Sequence, residues 1–475
     1  MDTESHVPSS KRRRILRQIA ATSVVNLASV AFGMVQGWPS PTFQLLRENK
    51  TALNGHLITK EEESWIGSLP FLGAFTAASL YNYINRNMGC KITGYLTAVP
   101  LVYGYLLIIF GTSITYICIA RFFIGFSLSG INVLVTLYMA EILEDNTRKA
   151  AGNLRSIAEN VGLILIYALG SYLTILHTTI VCISIPVFFL FTFFLLPESP
   201  IFLLRKGKPQ AALNAYLWLR GGDRQLAEEE MKKLRAVIDA RESTEHCTVG
   251  ELLSECGTRK ALQIIIILSV VQQLSGINVI FTFCETIFRM SGSSLSPEWS
   301  SLIVSFFGLF GSIFSRFFFI LSGRRFILVS TQTLQGVSLG GFGVYLYLRH
   351  IEVNVSNMGV LPVIFISIYI FCVIAGVANL LHVVISEMIK SEAQEVAMKI
   401  CGLLSWALAF LSIKFYYSLI DILDLHGCIW LFASVSFTGA ISMYLLLPET
   451  KNKSLELIMR KLNDEPPQED KSRNI

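Results

Sequence analysis

The chain has 475 residues, of which 52% are hydrophobic and only 15% are charged. Soluble proteins carry about 25% charged residues, so this chain has more apolar side chains than one aqueous globule can bury, and we expect it to reside in lipid. This composition excludes a cytosolic enzyme, a secreted disulfide scaffold and a disordered protein. The net charge of +5 is small and gathered in short segments, so nucleic acid is not an expected partner.

Twelve segments of the chain are long and apolar enough to cross a bilayer, which takes about 20 mostly apolar residues each. We therefore predict an all-α polytopic membrane protein with twelve transmembrane helices and no room for an extramembrane catalytic domain. The predicted spans are 18–38, 65–84, 92–110, 114–140, 153–175, 179–196, 261–289, 299–320, 326–348, 360–386, 396–420 and 427–447.

A charged segment at 197–260 divides these spans into two groups of six. Two six-helix bundles are typical of secondary transporters, which hold their solute between the bundles near the middle of the membrane. The alternative is a spacer between two structural bundles. The predicted organisation is a cytoplasmic N-terminal segment at 1–17, a first bundle at 18–196, a cytoplasmic helical linker at 197–260, a second bundle at 261–447 and a cytoplasmic tail at 448–475.

Basic residues beside the spans predict the orientation of the chain, because positively charged loops stay cytoplasmic. Basic residues at 11–14 precede the first span and others at 324–325 separate spans 8 and 9, so both termini are predicted to be cytoplasmic. The glycosylation sequons at Asn49 and Asn354 then lie outside, whereas the sequon at Asn452 lies in the cytoplasmic tail and should stay unmodified. The first span is too long for a signal peptide and lacks a clear cleavage site, so it is predicted to be an anchor.

The nine cysteines lie mostly inside spans or on the cytoplasmic side, and no disulfide is expected. His246, Cys247 and Cys256 form a cysteine and histidine cluster whose spacing fits no zinc pattern. Neither a metal nor another cofactor is therefore expected.

Three segments are specific enough in sequence to serve as motifs: PESPIFLLRKGK at 197–208, QQLSGINVIF at 272–281 and PETKNKSLEL at 448–457. In this order, at the ends of spans, they resemble the sugar-porter family of the major facilitator superfamily. The resemblance covers essentially the whole chain and implies the major facilitator fold. Further segments are similar to the insect facilitated trehalose transporter branch of that family: GWPSP at 37–41, SWIGSLPFLGA at 64–74 and YLWLRGGD at 216–223.

The polar residues of span 7 cannot share one face of a straight helix, because Gln272 and Asn278 point about 120° apart. Gly276 lies between them and can supply a break that turns both side chains to one cavity. Amide groups offer paired donors and acceptors, which suit the vicinal hydroxyls of a neutral sugar. The alternative is that these amides hydrogen-bond neighbouring helices.

The resemblance implies sugar contacts from Gln272, Gln273, Asn278 and Trp406. Trp406 lies about ten residues inside span 11, which suits an aromatic platform under the apolar face of a sugar better than an anchor at the lipid interface. Two further candidates occupy positions at which relatives often place Gln and Trp, namely Ser156 and His382.

The resemblance also implies charges that hold the cytoplasmic gate shut. The spacing of Arg121, Glu141 and Arg148 matches the cytoplasmic charge relay of the family. The alternative for these charges is snorkelling to the membrane surface. The set assigned to gating is Arg121, Glu141, Arg148, Glu198, Arg324, Arg325 and Glu387.

The chain departs from the family's motifs at several positions. Cys90 stands where the family has Arg, Arg86 where it has an acid, and Gln394 where an Arg is expected after Glu387. The segment GVANLLHVVISE at 376–387 has no proline, where the family has a Gly/Pro-rich turn. These changes leave open which sugar is carried and whether transport is active.

Two charges inside predicted spans are not explained by the resemblance. Glu285 shares the face of Asn278 in span 7, and Lys414 lies at about the same depth in span 11. Because a carboxylate in lipid is costly unless it is paired or hydrated, we predict either an outer-gate pair of Glu285 with Lys414 or a water-lined Glu285, with snorkelling as the alternative. Arg155 and Glu159 are predicted to form a structural ion pair at i, i+4.

The predicted function is facilitated transport of a neutral sugar, trehalose or a hexose, across the plasma membrane by alternating access. The predicted partners are the small-molecule sugar and the lipid bilayer, and the oligomeric state stays open. Span 1 has no acidic residue, where proton-coupled sugar porters carry an Asp, which favours uniport. One alternative is a transporter-like sensor without flux, which the short tail at 448–475 disfavours. Another is a carrier of a charged or non-sugar metabolite, with proton coupling through Glu285.

Overall fold

The chain folds into helices throughout the part that the structure describes. The computed structural model describes residues 9–48, 57–144, 147, 151–242 and 256–463, and within these ranges it contains no β-strand. Backbone groups in lipid must be paired within their own segment, and a helix achieves this for every apolar run. The prediction of an all-α membrane protein is confirmed.

The chain divides into two compact units, Met1–Glu245 and His246–Ile475. The division falls inside the charged segment at 197–260. In the first unit the apolar segments form long helices, and the polar segment that follows forms shorter ones. The helices are α1 (Ser9–Gly37), α2 (Pro39–Glu48), α3 (Lys60–Met88), α4 (Cys90–Phe110), α5 (Ile114–Ile142), α6 (Leu154–Gly170), α7 (Ile175–Phe194), α8 (Pro200–Arg205), α9 (Pro209–Leu219) and α10 (Arg224–Glu242).

Glycines let the long helices of the first unit cross closely. Where α3 crosses α5, a Cβ on Gly125 would lie 2.1 Å from the carbonyl oxygen of Pro70. Where α1 crosses α6, a Cβ on Gly162 would lie 2.0 Å from the carbonyl oxygen of Val30. Because lipid supplies no hydrophobic force between helices, such close backbone packing is a main source of their association.

The second unit contains several interrupted helices. Its elements are α11 (Cys256–Leu274), α12 (Ile277–Thr282), α13 (Cys284–Ser291), α14 (Pro297–Leu321), α15 (Arg324–His350), a 3-10 turn (Ser356–Met358), α16 (Leu361–Val373), a π-helical turn (Ile374–Ala378), α17 (Asn379–Met388), α18 (Ser391–Lys414), α19 (Tyr416–Leu446) and α20 (Leu455–Leu462). α19 is interrupted at Asp424, where φ is 56° and ψ is 173°. The predicted boundary between spans 11 and 12 coincides with this interruption.

Nine helical stretches among the described residues are long and apolar enough to cross a membrane. The other predicted spans, 65–84, 153–175 and 326–348, also fall on helices, namely α3, α6 and α15. α6 has only 17 residues, and α3 and α15 are long enough but less apolar than the nine. The chain is therefore a multi-pass helical membrane protein.

Candidate functional site

The seventh predicted span is broken at Gly276. α11 ends at Leu274 and α12 begins at Ile277, and Gly276 between them has φ 93° and ψ 9°. This left-handed conformation favours glycine. A Cβ at this position would also lie 2.5 Å from the ring of Phe432, so glycine is required by the space as well as by the backbone. The predicted break is present.

The break brings two of the three predicted amides of span 7 together, Gln273 and Asn278. The Asn278 side chain donates to Oε1 of Gln273 at 2.6 Å, which a straight helix would not allow between residues five apart. The hydroxyl of Tyr369 donates to the Ser275 carbonyl at 2.9 Å and so stabilises the broken turn. Oε1 of Gln272 is buried without a hydrogen-bond partner in the described part of the chain, so it is an acceptor suited to a ligand or water.

The other predicted sugar contacts lie on three separate helices. Trp406 is half-buried in α18, Ser156 is half-buried in α6, and His382 is exposed in α17. The Ser156 carbonyl accepts from the Asn160 side chain at 2.9 Å within α6. The assignment of these residues to sugar binding stays a prediction.

A π-helical turn at Ile374–Ala378 interrupts span 10, in the segment where the sequence has no proline. The Asn379 side chain donates to the freed carbonyl of Ile374 at 2.9 Å and to Oγ of Ser315 at 3.4 Å. A Cβ on Gly376 would lie 2.2 Å from Oγ1 of Thr331. Span 10 therefore has an irregular turn without proline. Asn379 and Thr331 were missed from the sequence, although the Gly376–Asn379 segment lies inside the motif that departs from the family.

In the first unit, the Glu198 carboxylate caps the start of α4. It accepts from the backbone N–H groups of Cys90 at 2.9 Å and Lys91 at 3.2 Å, where a helix N-terminus favours negative charge. Lys91 donates to the Phe194 carbonyl at 3.1 Å. Glu141, at the end of α5, accepts from the Cys90 thiol at 3.7 Å. These contacts join the ends of α4, α5 and α7.

The second unit repeats this arrangement with other residues. The Glu449 carboxylate caps α15, accepting from the backbone N–H of Arg324 at 2.8 Å and of Arg325 at 3.3 Å. Glu387 pairs with the Arg324 guanidinium at 3.2 Å and accepts from the Thr450 hydroxyl at 2.6 Å. Arg325 donates to the carbonyl of Tyr444.

The two sets of contacts correspond one to one. Glu449 corresponds to Glu198, since each caps a helix. Glu387 corresponds to Glu141, and Arg324 corresponds to Cys90. The first unit therefore has a weak thiol contact where the second unit has an ion pair. Glu449 was not predicted as a site residue, although the likeness of PES at 197–199 to PET at 448–450 is a signal that could have found it.

The position of Arg121 disagrees with one part of the predicted charge relay. Its side chain is 1% exposed, and it donates to the carbonyls of Ile66 at 3.1 Å and Val35 at 3.2 Å. Arg121 and Glu141 are twenty residues apart in α5, so about 30 Å separates them. The prediction that both belong to one cytoplasmic cluster is wrong, because one straight helix keeps them at opposite ends. Arg148 lies outside the described residues.

Glu285 and Lys414 both lie within the second unit. Glu285 is 2% exposed in the first turn of α13, and Lys414 is the half-buried last residue of α18. Their pairing stays a prediction. The predicted Arg155–Glu159 ion pair is present, with Nε and Oε1 2.7 Å apart.

Of the two predicted glycosylation sites, Asn354 is exposed in the loop between α15 and α16, and Asn49 lies outside the described residues. A surface cavity of about 470 Å³ lies beside Asn354 and is lined also by Tyr345, Arg349 and Glu352. None of the predicted sugar contacts lines this cavity, so it does not belong to the predicted sugar site.

The profile of the family described as "Sugar (and other) transporter" matches residues 21–462. The chain belongs to this family. It is 28% identical to the facilitated trehalose transporter of Bombyx mori over 467 residues, which covers 97% of this chain and 90% of that protein. It is 26% identical over 459 residues to the same-named transporter of Drosophila mojavensis, covering 97% of this chain and 53% of that protein. The chain therefore spans about half the length of the Drosophila relatives it matches.

Solved transporters have the same fold as this sugar transporter family member. The xylose transporter XylE from E. coli, in a partially occluded inward-open conformation, superposes with a TM-score of 0.73 at 18% identity, covering 93% of this chain and 100% of that one. The same transporter bound to 6-bromo-6-deoxy-D-glucose, described as a major facilitator superfamily proton:xylose symporter, gives 0.73 over 94% of this chain. The predicted major facilitator fold and the resemblance to sugar porters are confirmed.

Proposed function

We propose that the protein carries a neutral sugar, trehalose or a hexose, across the plasma membrane by facilitated alternating access. The observation that carries the proposal is the break at Gly276, across which the Asn278 side chain meets Gln273, together with the side-chain oxygen of Gln272, which is buried without a hydrogen-bond partner in the described part of the chain. A neutral sugar offers hydroxyl groups, and amides match them as both donors and acceptors. Relatives named facilitated trehalose transporters support the same substrate class.

The proposed working parts are the interrupted helices of the second unit and the caps at the ends of helices in both units. The irregular turns at 274–277 and 374–378 interrupt two long apolar helices, and secondary transporters typically bind their solute at interrupted helices. Glu198 and Glu449 hold the starts of α4 and α15 to the segments that follow span 6 and span 12. We propose that both termini are cytoplasmic, with a first bundle at 18–196, a linker at 197–260 and a second bundle at 261–447.

Uptake of radiolabelled trehalose and glucose by cells or proteoliposomes containing the chain tests this function. We expect saturable uptake that stops at equal concentrations on both sides, since span 1 has no acidic residue to couple a proton. Unlabelled sugar inside should accelerate entry of label by exchange. Binding of sugar without exchange would instead indicate a sensor, and accumulation above equilibrium driven by a pH gradient would indicate a symporter.

We propose to test two roles for the buried Glu285 within sugar transport, as a proton carrier or as one half of an outer-gate pair with Lys414. If Glu285 carries a proton, Glu285→Gln should abolish any pH dependence of uptake, and Lys414→Met should not rescue it. If instead the two residues form an outer-gate pair, each single variant should lose transport and the double variant should recover part of it, because no charge is then left unpaired. Additive losses without pH dependence would contradict both roles.

A further inference from the structure

Three side chains capable of binding a metal converge where α15 ends and α19 is interrupted. His350 is the last residue of α15, and Asp424 and His426 lie at the interruption of α19. One ligand atom from each residue lies within 4.8 Å of the ligand atoms of the other two. Because more than 70 residues separate His350 from Asp424, only the packing of α15 against α19 brings these groups together.

The backbone at Asp424 places its carboxylate beside the imidazoles. Its φ of 56° and ψ of 173° lie in a region that is normally occupied by glycine. The helix is interrupted there, so Asp424 and His426 do not follow the angular spacing of a continuous helix. The carboxylate therefore reaches the same side as His350 and His426, as the distances among their ligand atoms show.

Neighbouring aromatic rings hold His426 in position. The ring of Tyr347 and the ring of Trp430 each lie 5.4 Å from it, and the ring of His350 lies 5.1 Å from it. The adjacent Arg349 directs its guanidinium to the Met290 carbonyl, at 3.3 Å. The rings pack around the His426 imidazole, and the imidazole nitrogens and the Asp424 carboxylate lie close to one another.

Two imidazole nitrogens and one carboxylate oxygen form a donor set that suits Zn²⁺, Cu²⁺ or Ni²⁺, whereas Mg²⁺ and Ca²⁺ prefer oxygen ligands alone. Ligand atoms in a tetrahedral zinc site lie about 3.3 Å apart, since each is about 2.0 Å from the metal. His350 and Asp424 are exposed, so small side-chain rotations can close the present spacing. We propose that His350, Asp424 and His426 form a zinc-binding site, with water in the fourth position, that ties the end of α15 to the interruption of α19.

Metal binding to the purified full-length chain tests the proposal directly. After removal of metal with a chelator, Co²⁺ should give the visible absorption of a tetrahedral site, and Cu²⁺ should quench the fluorescence of Trp430. The double variant His350→Gln/His426→Gln and the variant Asp424→Asn should lose one equivalent of bound metal and the visible band. His177→Gln, which changes an exposed histidine of the first unit, is the matched control and should retain both. Unchanged stoichiometry and spectrum in the double variant would overturn the proposal.

Thermal unfolding distinguishes loss of the site from loss of the fold. Zn²⁺ should raise the unfolding midpoint of the native chain and of His177→Gln, because it binds the folded form only. Asp424→Gly suits the backbone at this position, so without Zn²⁺ its midpoint should equal or exceed that of the native chain, and its response to Zn²⁺ should disappear. An equal rise with Zn²⁺ in Asp424→Gly and in the double histidine variant would show that the metal binds elsewhere.

Discussion

Gln272 carries the side-chain oxygen that the proposed sugar site depends on most directly. It is buried without a hydrogen-bond partner in the described part of the chain, so Gln272→Leu removes an acceptor that a sugar hydroxyl would use. We expect a loss of about 1 to 3 kcal/mol, or roughly ten- to a hundredfold in affinity, measured as the Kd or the KM for uptake. Gln225→Leu, at an exposed position of α10, is the matched control. Unchanged kinetics in Gln272→Leu would assign the amide to contacts between helices.

Glu387 and Glu141 occupy corresponding positions in the two units, and we expect replacement by Gln to destabilise the protein unequally at these two positions. Glu387 holds a guanidinium and a hydroxyl, so Glu387→Gln leaves Arg324 without its counter-charge and should destabilise the protein by about 1 to 3 kcal/mol. Glu141 has a hydroxyl partner too, Ser199, but it has the weakly donating Cys90 thiol where Glu387 has the Arg324 guanidinium, so Glu141→Gln should lower the unfolding midpoint less. Equal decreases in a thermal unfolding assay would show that the ion pair contributes nothing beyond the thiol contact.

At the scale of an element, the interruption of span 7 depends on one glycine. Gly276→Ala places a Cβ 2.5 Å from the Phe432 ring and in a left-handed conformation, so we expect lower stability and loss of sugar binding. Gly340→Ala, in α15 with open space around the added methyl group, should be tolerated.

A double variant separates the two causes of this effect. Phe432→Ala should relieve the steric part of the defect in Gly276→Ala and leave the backbone part. Thermal unfolding and sugar binding of the single and double variants measure the two parts. Gly276→Ala with native binding and stability would contradict a required break at this position.

The interruption of span 10 has a different physical basis. Proline breaks a helix by removing a donor, but the π turn at Ile374–Ala378 is instead stabilised by the Asn379 side chain on the Ile374 carbonyl. The segment 376–387 contains no proline, so its sequence carries no signal for a break of that kind. The π turn depends on partners from α14 and α15, Ser315 and Thr331, which the local sequence does not reveal.

At the scale of the whole molecule, the topology predicts which sequons are modified. If Asn49 and Asn354 lie outside, glycosidase treatment should shift the mobility of protein made in animal cells, and replacing both with Gln should abolish the shift. Asn354 is exposed in its loop, which makes it accessible to the transferase. Asn452→Gln is the control and should change nothing. A glycan on Asn452 would reverse the proposed orientation.

The two units show the same capping arrangement, which is the structural trace of an internal repeat. Glu198 and Glu449 cap helices that begin at equivalent positions of the two halves. Corresponding positions of the two halves can therefore be compared. At the position where the second half has the cation of Arg324, the first half has the thiol of Cys90.

The amino-acid sequence determined the helical class and the break at Gly276. Long apolar runs can satisfy their backbone in lipid only as helices, and a glycine between polar residues is a local signal. The i, i+4 pair of Arg155 and Glu159 was predictable for the same reason, since helix geometry alone sets it.

Only the tertiary structure decided which distant groups meet. Arg121 was placed with Glu141 from spacing and resemblance, but its partners are the carbonyls of Val35 and Ile66 on other helices. Asp424 reaches the histidines because α15 packs against α19 and because the backbone at 424 leaves the helical conformation. Residues far apart in sequence are brought together by helix packing and by interruptions in helices, and hydropathy and spacing along one chain do not encode either.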